Sequence, residues 1–451
     1  MNNAMEGLAY ARLTSLFDDG SFQEINAAAK TADGSLTGVI CAYGYVNGNP
    51  VYAFSQDKSV NCGAVTRVHA EKIAKLYALA AKTGTPIVGI HDSNGAFMDG
   101  TVDSLTAYGE MLTAAAKLSG VVPQIAVVAG TCAGSASLLA CASDFVILTK
   151  DSEFFMTPPF DTKDAGTAAA AAKAGIASFV CEDADGAIDK ARALLNLLPV
   201  NNLAGAPVFE FEAPTAAASS ELSALVDGVT DGGSALEIAA DYGCASYTAF
   251  ATIGGTTVGI TATNKIDDAL TADDCAKIAR FVRTCDAFSI PVITFVDTKG
   301  FAASAEAELS GSIKSMTRLM SCYAEATTIK ISVITGSATG AAFTALAGAA
   351  CGTDFTYAWE NAVISPMAPL TAVEFLWHDK LKGAADVNAK RQELAAEYAA
   401  TLASAQTAAE KNAIDGVITP DSTRATLLSA LDILSGKRVS NLPKKHSNLP
   451  L

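Results

Sequence analysis

Four short turns in this chain have the composition needed to present backbone amides. They are Ser93-Asn94-Gly95-Ala96, Cys132-Ala133-Gly134-Ser135, Thr298-Lys299-Gly300-Phe301 and Ala338-Thr339-Gly340-Ala341. The first and third follow apolar runs that read as buried strands, and the second and fourth open Ala-rich stretches that read as helices. Unpaired N–H groups collect at such corners, and two that converge form an oxyanion hole. Glycine lets a carbonyl approach closely and takes φ values closed to other residues. A site of that kind stabilises an enolate without a catalytic side chain, which suits a chain with only four histidines and no nucleophile motif.

Taken singly, a glycine at a helix start is a structural feature. Here both kinds of turn recur in register. Lys72 and Lys277, Pro86 and Pro291, and Asp92 and Asp297 each stand 205 residues apart within matching segments. Downstream, Gly130-Thr131-Cys132-Ala133-Gly134-Ser135-Ala136 ahead of Ser143-Asp144-Phe145 returns as Gly336-Ser337-Ala338-Thr339-Gly340-Ala341-Ala342 ahead of Thr353-Asp354-Phe355. Such a repeat implies two related domains carrying two related sites. A chain of 451 residues is also longer than one hydrophobic core usually serves. The expected division is 1–220 and 221–451.

The elements that must position the turns follow the same duplication. Residues 36–55 alternate apolar and polar around Asn47-Gly48, and 246–263 do so around Gly254-Gly255, predicting two hairpins. Each leads to a helix (67–83 and 272–288), a buried strand (86–91 and 291–296), a second helix (103–119 and 310–326) and a second strand (124–129 and 330–335). Loops at strand C-termini are where α/β folds bind ligands. Residues 199–235 read as the connection between the halves, 384–412 as one long polar helix with no first-half counterpart, and 437–451 as a Lys/Pro-rich tail.

A formal net charge of −16 argues against nucleic acid and anionic membrane surfaces. No apolar run is long enough to span a bilayer, and the N-terminus lacks a signal-peptide pattern, so a cytoplasmic protein is expected. The ten cysteines form no CxxC pair and do not cluster with histidine, so most of them read as small buried hydrophobes, and no metal site is expected.

Several stretches carry a wider resemblance. They are Gly44-Tyr45-Val46-Asn47-Gly48 through Tyr52-Ala53-Phe54-Ser55-Gln56-Asp57, Gly100-Thr101-Val102-Asp103-Ser104-Leu105, Arg280 to Phe288, Tyr323-Ala324-Glu325-Ala326-Thr327, and the ending Gly436-Lys437-Arg438-Val439 with Lys444 to Leu451. Together they resemble the biotin-dependent carboxyltransferase family, of the acyl-CoA carboxylase β-subunit and methylmalonyl-CoA decarboxylase α-subunit type, over nearly the whole chain.

The resemblance implies an α/β protein of tandem crotonase-like ββα-superhelix domains. It implies an acyl-CoA thioester, a coenzyme A ester, on the N-terminal domain. Biotin, borne by a separate carrier protein or domain, would lie on the C-terminal domain of a second subunit, so a homodimer or a hexamer is expected. Two oxyanions form in such a transfer. The thioester oxygen is accordingly expected at Gly95, Ala96, Gly134 and Ser135, and the biotin ureido oxygen at Gly300, Phe301, Gly340 and Ala341. The chain would depend on a biotin carrier protein and on a biotin carboxylase or a membrane decarboxylase subunit.

Where the family has Ser-Gly-Gly-Ala-Arg, this chain has Ser93-Asn94-Gly95-Ala96-Phe97, and the other three turns are also altered. The glycine replacements at Asn94, Ser135 and Ala341 each keep a backbone N–H and add a Cβ. Three alternatives therefore accompany the carboxyltransferase reading: a CoA-ester decarboxylase α subunit of a sodium-pumping complex, a non-catalytic scaffold subunit, and a crotonase-type hydratase or hydrolase. The last requires side-chain acid/base groups. Among individual residues, His91 reads as a core histidine that could face the first site, Asp92 and Asp297 as helix-capping or loop-anchoring residues, and Lys299 as a solvated loop lysine that could approach carboxybiotin or a carboxylate substrate.

Overall fold

In the first of two units, Met1–Pro207, helix α1 (Leu8–Leu16) and strand β1 (Gln23–Ile25) precede the expected hairpin, β2 (Val39–Val46) and β3 (Asn49–Gln56). Its turn residues Asn47 and Gly48 take φ of +50° and +78°, which is why this pair of residue types stands there. The computed structural model describes residues 7–158 and 163–448. Helix α2 (Arg67–Thr83) starts at Thr66, whose hydroxyl accepts the His69 N–H, and stops at Gly84 in the left-handed region. A cap of this type contributes about 1 kcal/mol. Then come β4 (Ile87–Ser93), α3 (Thr101–Leu118), β5 (Gln124–Ala133), α4 (Ser135–Cys141), β6 (Phe145–Thr149), β7 (Glu153–Phe155), α5 (Ala168–Lys173), β8 (Phe179–Cys181) and α6 (Ala184–Leu197). The strands form one sheet in the order β1-β2-β3-β4-β5-β6-β8, with β7 beside the end of β5.

The second unit, Val208–Leu451, repeats this design. Helix α7 (Leu222–Val229) and β9 (Leu236–Glu237) lead to the hairpin β10 (Tyr247–Ile253) and β11 (Thr256–Ala262), then α8 (Ala272–Ala287) and β12 (Val292–Thr298). Helix α8 opens with a capping box in which Thr271 and Asp274 exchange side-chain and main-chain hydrogen bonds. Next are α9 (Ala305–Leu309), α10 (Ser312–Glu325), β13 (Lys330–Thr339), α11 (Ala341–Leu346), β14 (Phe355–Trp359) and β15 (Val363–Ser365). After a helical excursion, α12 (Pro369–Leu376), α13 (His378–Leu381), α14 (Val387–Thr401) and α15 (Ala405–Glu410), the chain returns as β16 (Gly416–Ile418) and ends with α16 (Thr423–Leu434). The sheet order is β9-β10-β11-β12-β13-β14-β16, with β15 beside β13, matching the first sheet strand for strand.

In both sheets the first three strands pair antiparallel and the rest parallel. Every residue of β4 is buried, as expected of a parallel strand covered on both faces. One core packs Phe54, Ile73, Leu76 and Met111 together, and the other packs Phe295, Val333, Trp359 and Leu427. Each such side chain contributes about 2 kcal/mol on leaving water. These cores fix the strands, and the strands fix the four turns.

The long helix expected over 384–412 is instead two helices. The break at residues 402–404 has a tertiary cause: Ala403 accepts the Ile364 N–H at 2.8 Å, Ala405 donates to Ala362 at 3.2 Å, and Ser404 caps α15. The segment is drawn out against β15, which local helix propensity does not anticipate. The basic tail is packed on its own unit, with Lys444 Nζ 2.8 Å from Glu325 Oε1 and Lys437 Nζ 2.7 Å from Asp354 Oδ2. Residues 449–451 of that tail lie outside the described residues.

Candidate active site

The sites are built where β4 meets β5 and where β12 meets β13. Pairing of β4 with β5 is regular from Ile87 to His91, then shifts so that Ser93 lies opposite Cys132. The same shift occurs between Val296 and Thr298, which lies opposite Ala338. The residue expelled at each irregularity is an aspartate, and its carboxylate lies against a glycine of the neighbouring strand. A Cβ at Gly130 would sit 2.2 Å from Asp92 Oδ1, and one at Gly336 would sit 2.3 Å from Asp297 Oδ1. Asp92 accepts the Thr131 N–H at 3.2 Å, and Asp297 accepts the Ser337 N–H at 2.8 Å. Both aspartates thus lock one loop to the other, the anchoring role their positions suggested.

In the first unit this carboxylate is also paired. Arg12, from α1, reaches Asp92 Oδ2 through Nη1 and Nη2, each at 3.1 Å, and donates to Ala129 O. Lys58 Nζ lies 3.9 Å from Asp92 Oδ1 and donates to Thr131 Oγ1, which in turn donates to Glu153. Sequence reasoning missed Arg12, Lys58, Gly130 and Gly336 as parts of the site. The two glycines carried a signal, since they open the duplicated downstream segments. Arg12 carried none, because nothing local announces a contact with a residue 80 positions away.

The eight proposed hole residues fall into four pairs, and the structure treats the two members of each pair differently. Gly95 donates its N–H to Ser93 Oγ at 3.1 Å, and Gly300 donates to Thr298 Oγ1 at 3.2 Å. Gly134 donates to Phe155 O at 2.9 Å, and Gly340 to Ser365 O at 2.8 Å. The amides of Ala96, Ser135, Phe301 and Ala341 have no hydrogen-bond partner among the described residues.

Geometry explains this division. Gly95 O accepts the Val65 N–H and Val65 O accepts the Phe97 N–H, so the intervening Ala96 amide faces the other way. Leu270 bridges Gly300 and Ala302 identically and turns Phe301 outward. Ser135 and Ala341 are first residues of helices, whose N–H groups lack an intrahelical acceptor. The glycines before them, with φ +58°, ψ −131° and φ +60°, ψ −135°, occupy a region open to glycine alone. Within each unit the two loops touch: a Cβ at Gly95 would meet Ala133 O at 2.9 Å, and one at Gly300 would meet Thr339 O at 3.6 Å. Each unit therefore offers two free amides on adjacent corners, and the added side chain of Asn94 is exposed to solvent.

His91 is 2% exposed, stands edge-on to Phe54 at 5.3 Å, and belongs to the core. Burial holds its imidazole down at about 4, so it is neutral at pH 7. Lys299 Nζ is paired with Asp267 Oδ1 at 2.9 Å on the surface. None of the ten cysteines forms a disulfide; six are buried, whereas Cys62, Cys141 and Cys244 are exposed and Cys181 is half-buried. Among the described residues no group of His, Cys, Asp and Glu could hold a metal, and no helix is long and apolar enough to cross a membrane.

A carboxyl transferase domain model matches residues 4–449 of the chain. The sequence is 34% identical, over 98% of this chain and 93% of the relative, to the α subunit of methylmalonyl-CoA decarboxylase from Propionigenium modestum. It is 36% identical, over 98% and 90%, to the propionyl-CoA carboxylase β chain of Saccharopolyspora erythraea. The fold is similar to the crystal structure of transcarboxylase 12S, a hexamer with hydrolysed methylmalonyl-coenzyme A bound, with a TM-score of 0.92 and 33% identity over 98% of this chain and 92% of that one. The tandem crotonase-like α/β architecture expected from sequence is therefore that of the structure. With duplicated amide corners, a family match along nearly its full length and relatives above 30% identity, this chain belongs to the carboxyl transferase domain family.

Proposed function

We propose that the chain is a carboxyltransferase subunit moving a carboxyl group between biotin and the α-carbon of a short acyl-CoA, either propionyl/methylmalonyl-CoA or acetyl/malonyl-CoA. The observation that carries this is the recurrence, in both units, of two unengaged amides on touching loops: Ala96 with Ser135, and Phe301 with Ala341. A reaction that develops negative charge on two oxygens needs two such places.

The first unit takes the acyl-CoA, and the Ala96 and Ser135 N–H groups hold the thioester oxygen as it gains charge. Biotin supplies the carboxyl group and a ureido nitrogen that accepts the α-proton. Phe301 and Ala341 in the second unit hold its ureido oxygen. Four partnerless donors fit two oxyanions, and the glycines between them permit the approach. The nitrogen–carbon bond to the carboxyl would break first, releasing CO2 and freeing that nitrogen to take the α-proton, and the thioester enolate would then form the new carbon–carbon bond with the CO2. Each donor contributes on the order of 3 kcal/mol to the transition state.

The same amides serve the reverse direction. Similarity to the P. modestum subunit favours, as second reading, a decarboxylase α subunit that loads biotin for a membrane partner. In either direction the chain works as a homodimer or hexamer with a biotin carrier protein. Ten cysteines without a disulfide suit the reducing cytoplasm.

The test is carboxyl exchange by purified protein between labelled methylmalonyl-CoA or malonyl-CoA and free biotin or a biotinylated carrier. No exchange with any of a panel of short acyl-CoAs would overturn the proposal.

A further inference from the structure

Ser93 and Thr298 are the last residues of β4 and β12, 205 positions apart, and are 0% and 4% exposed. We propose that their hydroxyls are positioning groups for the transfer: each captures the N–H of the glycine two residues on and fixes the peptide before that glycine, while Val65 or Leu270 holds the peptide after it, so that the amide of Ala96 or Phe301 stays aimed outward as an oxyanion donor. This rests on the function proposed above.

The argument begins from Gly95 and Gly300, which are themselves buried. A buried N–H without an acceptor costs about 1–3 kcal/mol, so each must find one. The acceptor is the hydroxyl at 3.1 or 3.2 Å, a local serine/threonine turn rather than a ladder partner. With φ of +98° and +105° and no Cβ, these glycines can swing their flanking peptides at little steric cost. Removing the hydroxyl leaves the peptide before the glycine without its acceptor, and as that peptide swings, the glycine no longer holds the following peptide steady against Val65 or Leu270.

The anchoring on the far side holds one of the two peptides that flank the glycine. Val65 and Leu270 grip the glycine carbonyl and the amide two positions later, which directs the amide between them outward, and the hydroxyl holds the peptide on the glycine's other side. The two loops differ at Asn94 against Lys299 and at Ala96 against Phe301, yet both keep a hydroxyl and a glycine at this spacing. One unit uses serine and the other threonine, so each indicates the substitution the other should tolerate.

Four variants test the proposal in the exchange assay. Ser93→Ala and Thr298→Val, the latter equal in shape to threonine, should lower kcat by about 10- to 100-fold with KM for acyl-CoA changed less than about twofold, because the lost contact acts only in the transition state. Ser93→Thr and Thr298→Ser should retain kcat within about threefold, a rescue that a purely structural effect of side-chain size would not give. Wild-type kcat in Thr298→Val, or equal kcat in Thr298→Val and Thr298→Ser, overturns the proposal even if Ser93→Ala fails to fold. Hydrogen exchange read by mass spectrometry across residues 93–97 and 298–302 does not depend on activity. Exchange should quicken by about tenfold or more in the hydroxyl-less variants only. Unchanged exchange sinks the positioning role, whereas an inactive wild-type protein with the expected exchange pattern sinks the carboxyltransferase reading and leaves the turn geometry standing.

Discussion

Arg424 Nη2 lies 2.6 Å from Asp231 Oδ1, joining residues 193 positions apart, and this pair holds the tip of the second hairpin. Asp231 accepts the N–H of Gly254 at 3.0 Å and of Gly255 at 2.8 Å. The first unit uses the same device: Arg192 Nη2 is 2.9 Å from Asp18 Oδ1, and Asp18 accepts from Asn47 at 3.0 Å and Gly48 at 2.9 Å. In each unit a carboxylate grips a hairpin turn, and the last helix of the unit grips the carboxylate.

Burial pushes the Asp231 carboxyl upward, but the Gly255 and Gly254 amides and the Arg424 guanidinium outweigh it and hold it below the ordinary range. Its stabilisation is therefore fully present above the unfolded carboxyl value, near pH 4, and is lost as pH falls through the lowered folded value. Asp231→Asn should destabilise the protein by about 3 kcal/mol. In urea denaturation the gap from wild type should be flat from pH 5 to 8 and shrink below pH 4. A gap independent of pH down to pH 3 would contradict the assignment.

Proline at position 341 separates the amide from everything else. The first position of a helix tolerates proline, whose missing N–H has no intrahelical role there. Ala341→Pro should leave stability within about 1 kcal/mol of wild type and lower kcat by about 10²- to 10³-fold, the cost of one oxyanion donor. Thermal unfolding and exchange kinetics on the same preparation check both halves of this expectation.

The contact of Asp297 with Gly336 should appear as coupling. Gly336→Ala places a Cβ 2.3 Å from the carboxylate and should cost about 2 kcal/mol through overpacking. Asp297→Ala removes the obstacle, so the double variant should be more stable than the sum of the single effects by about 1 kcal/mol or more. Simple additivity in a denaturation cycle would show that the two do not meet.

Lys277 is 5% exposed and donates to Ser246 O at 2.8 Å. Burial, helped by nearby Lys265, lowers its ammonium to about 8. Between that value and the unfolded value near 10.4 the unfolded chain holds the extra proton, so stability relative to Lys277→Met should rise with pH, by up to about 3 kcal/mol. Denaturation at pH 7 and pH 10 measures the difference directly, and a fall over that interval would be the wrong sign.

Much of the architecture was legible in the sequence because its signals are local. The alternation around Asn47-Gly48 and Gly254-Gly255, the helical period of 67–83 and the turn glycines all act within a few residues, and their recurrence exposed the duplication. The ion pairs that grip the hairpins escaped detection. Asp18 and Asp231 are 213 residues apart and Arg192 and Arg424 are 232 apart, so they break the constant offset that reveals the rest of the repeat.

The chain alone thus determined the four corners, their pairing between halves and the α/β class, since strand, turn and helix preferences are written in short windows. Tertiary structure alone decided which amide at each corner is free. An N–H points where φ, ψ and its neighbours send it, and here those neighbours are Phe155 and Ser365 on adjoining strands and Val65 and Leu270 ahead of helices. It also decided that Asp92 and Asp297 bind their loops together, because a carboxylate can lie there only where Gly130 and Gly336 leave room on the next strand.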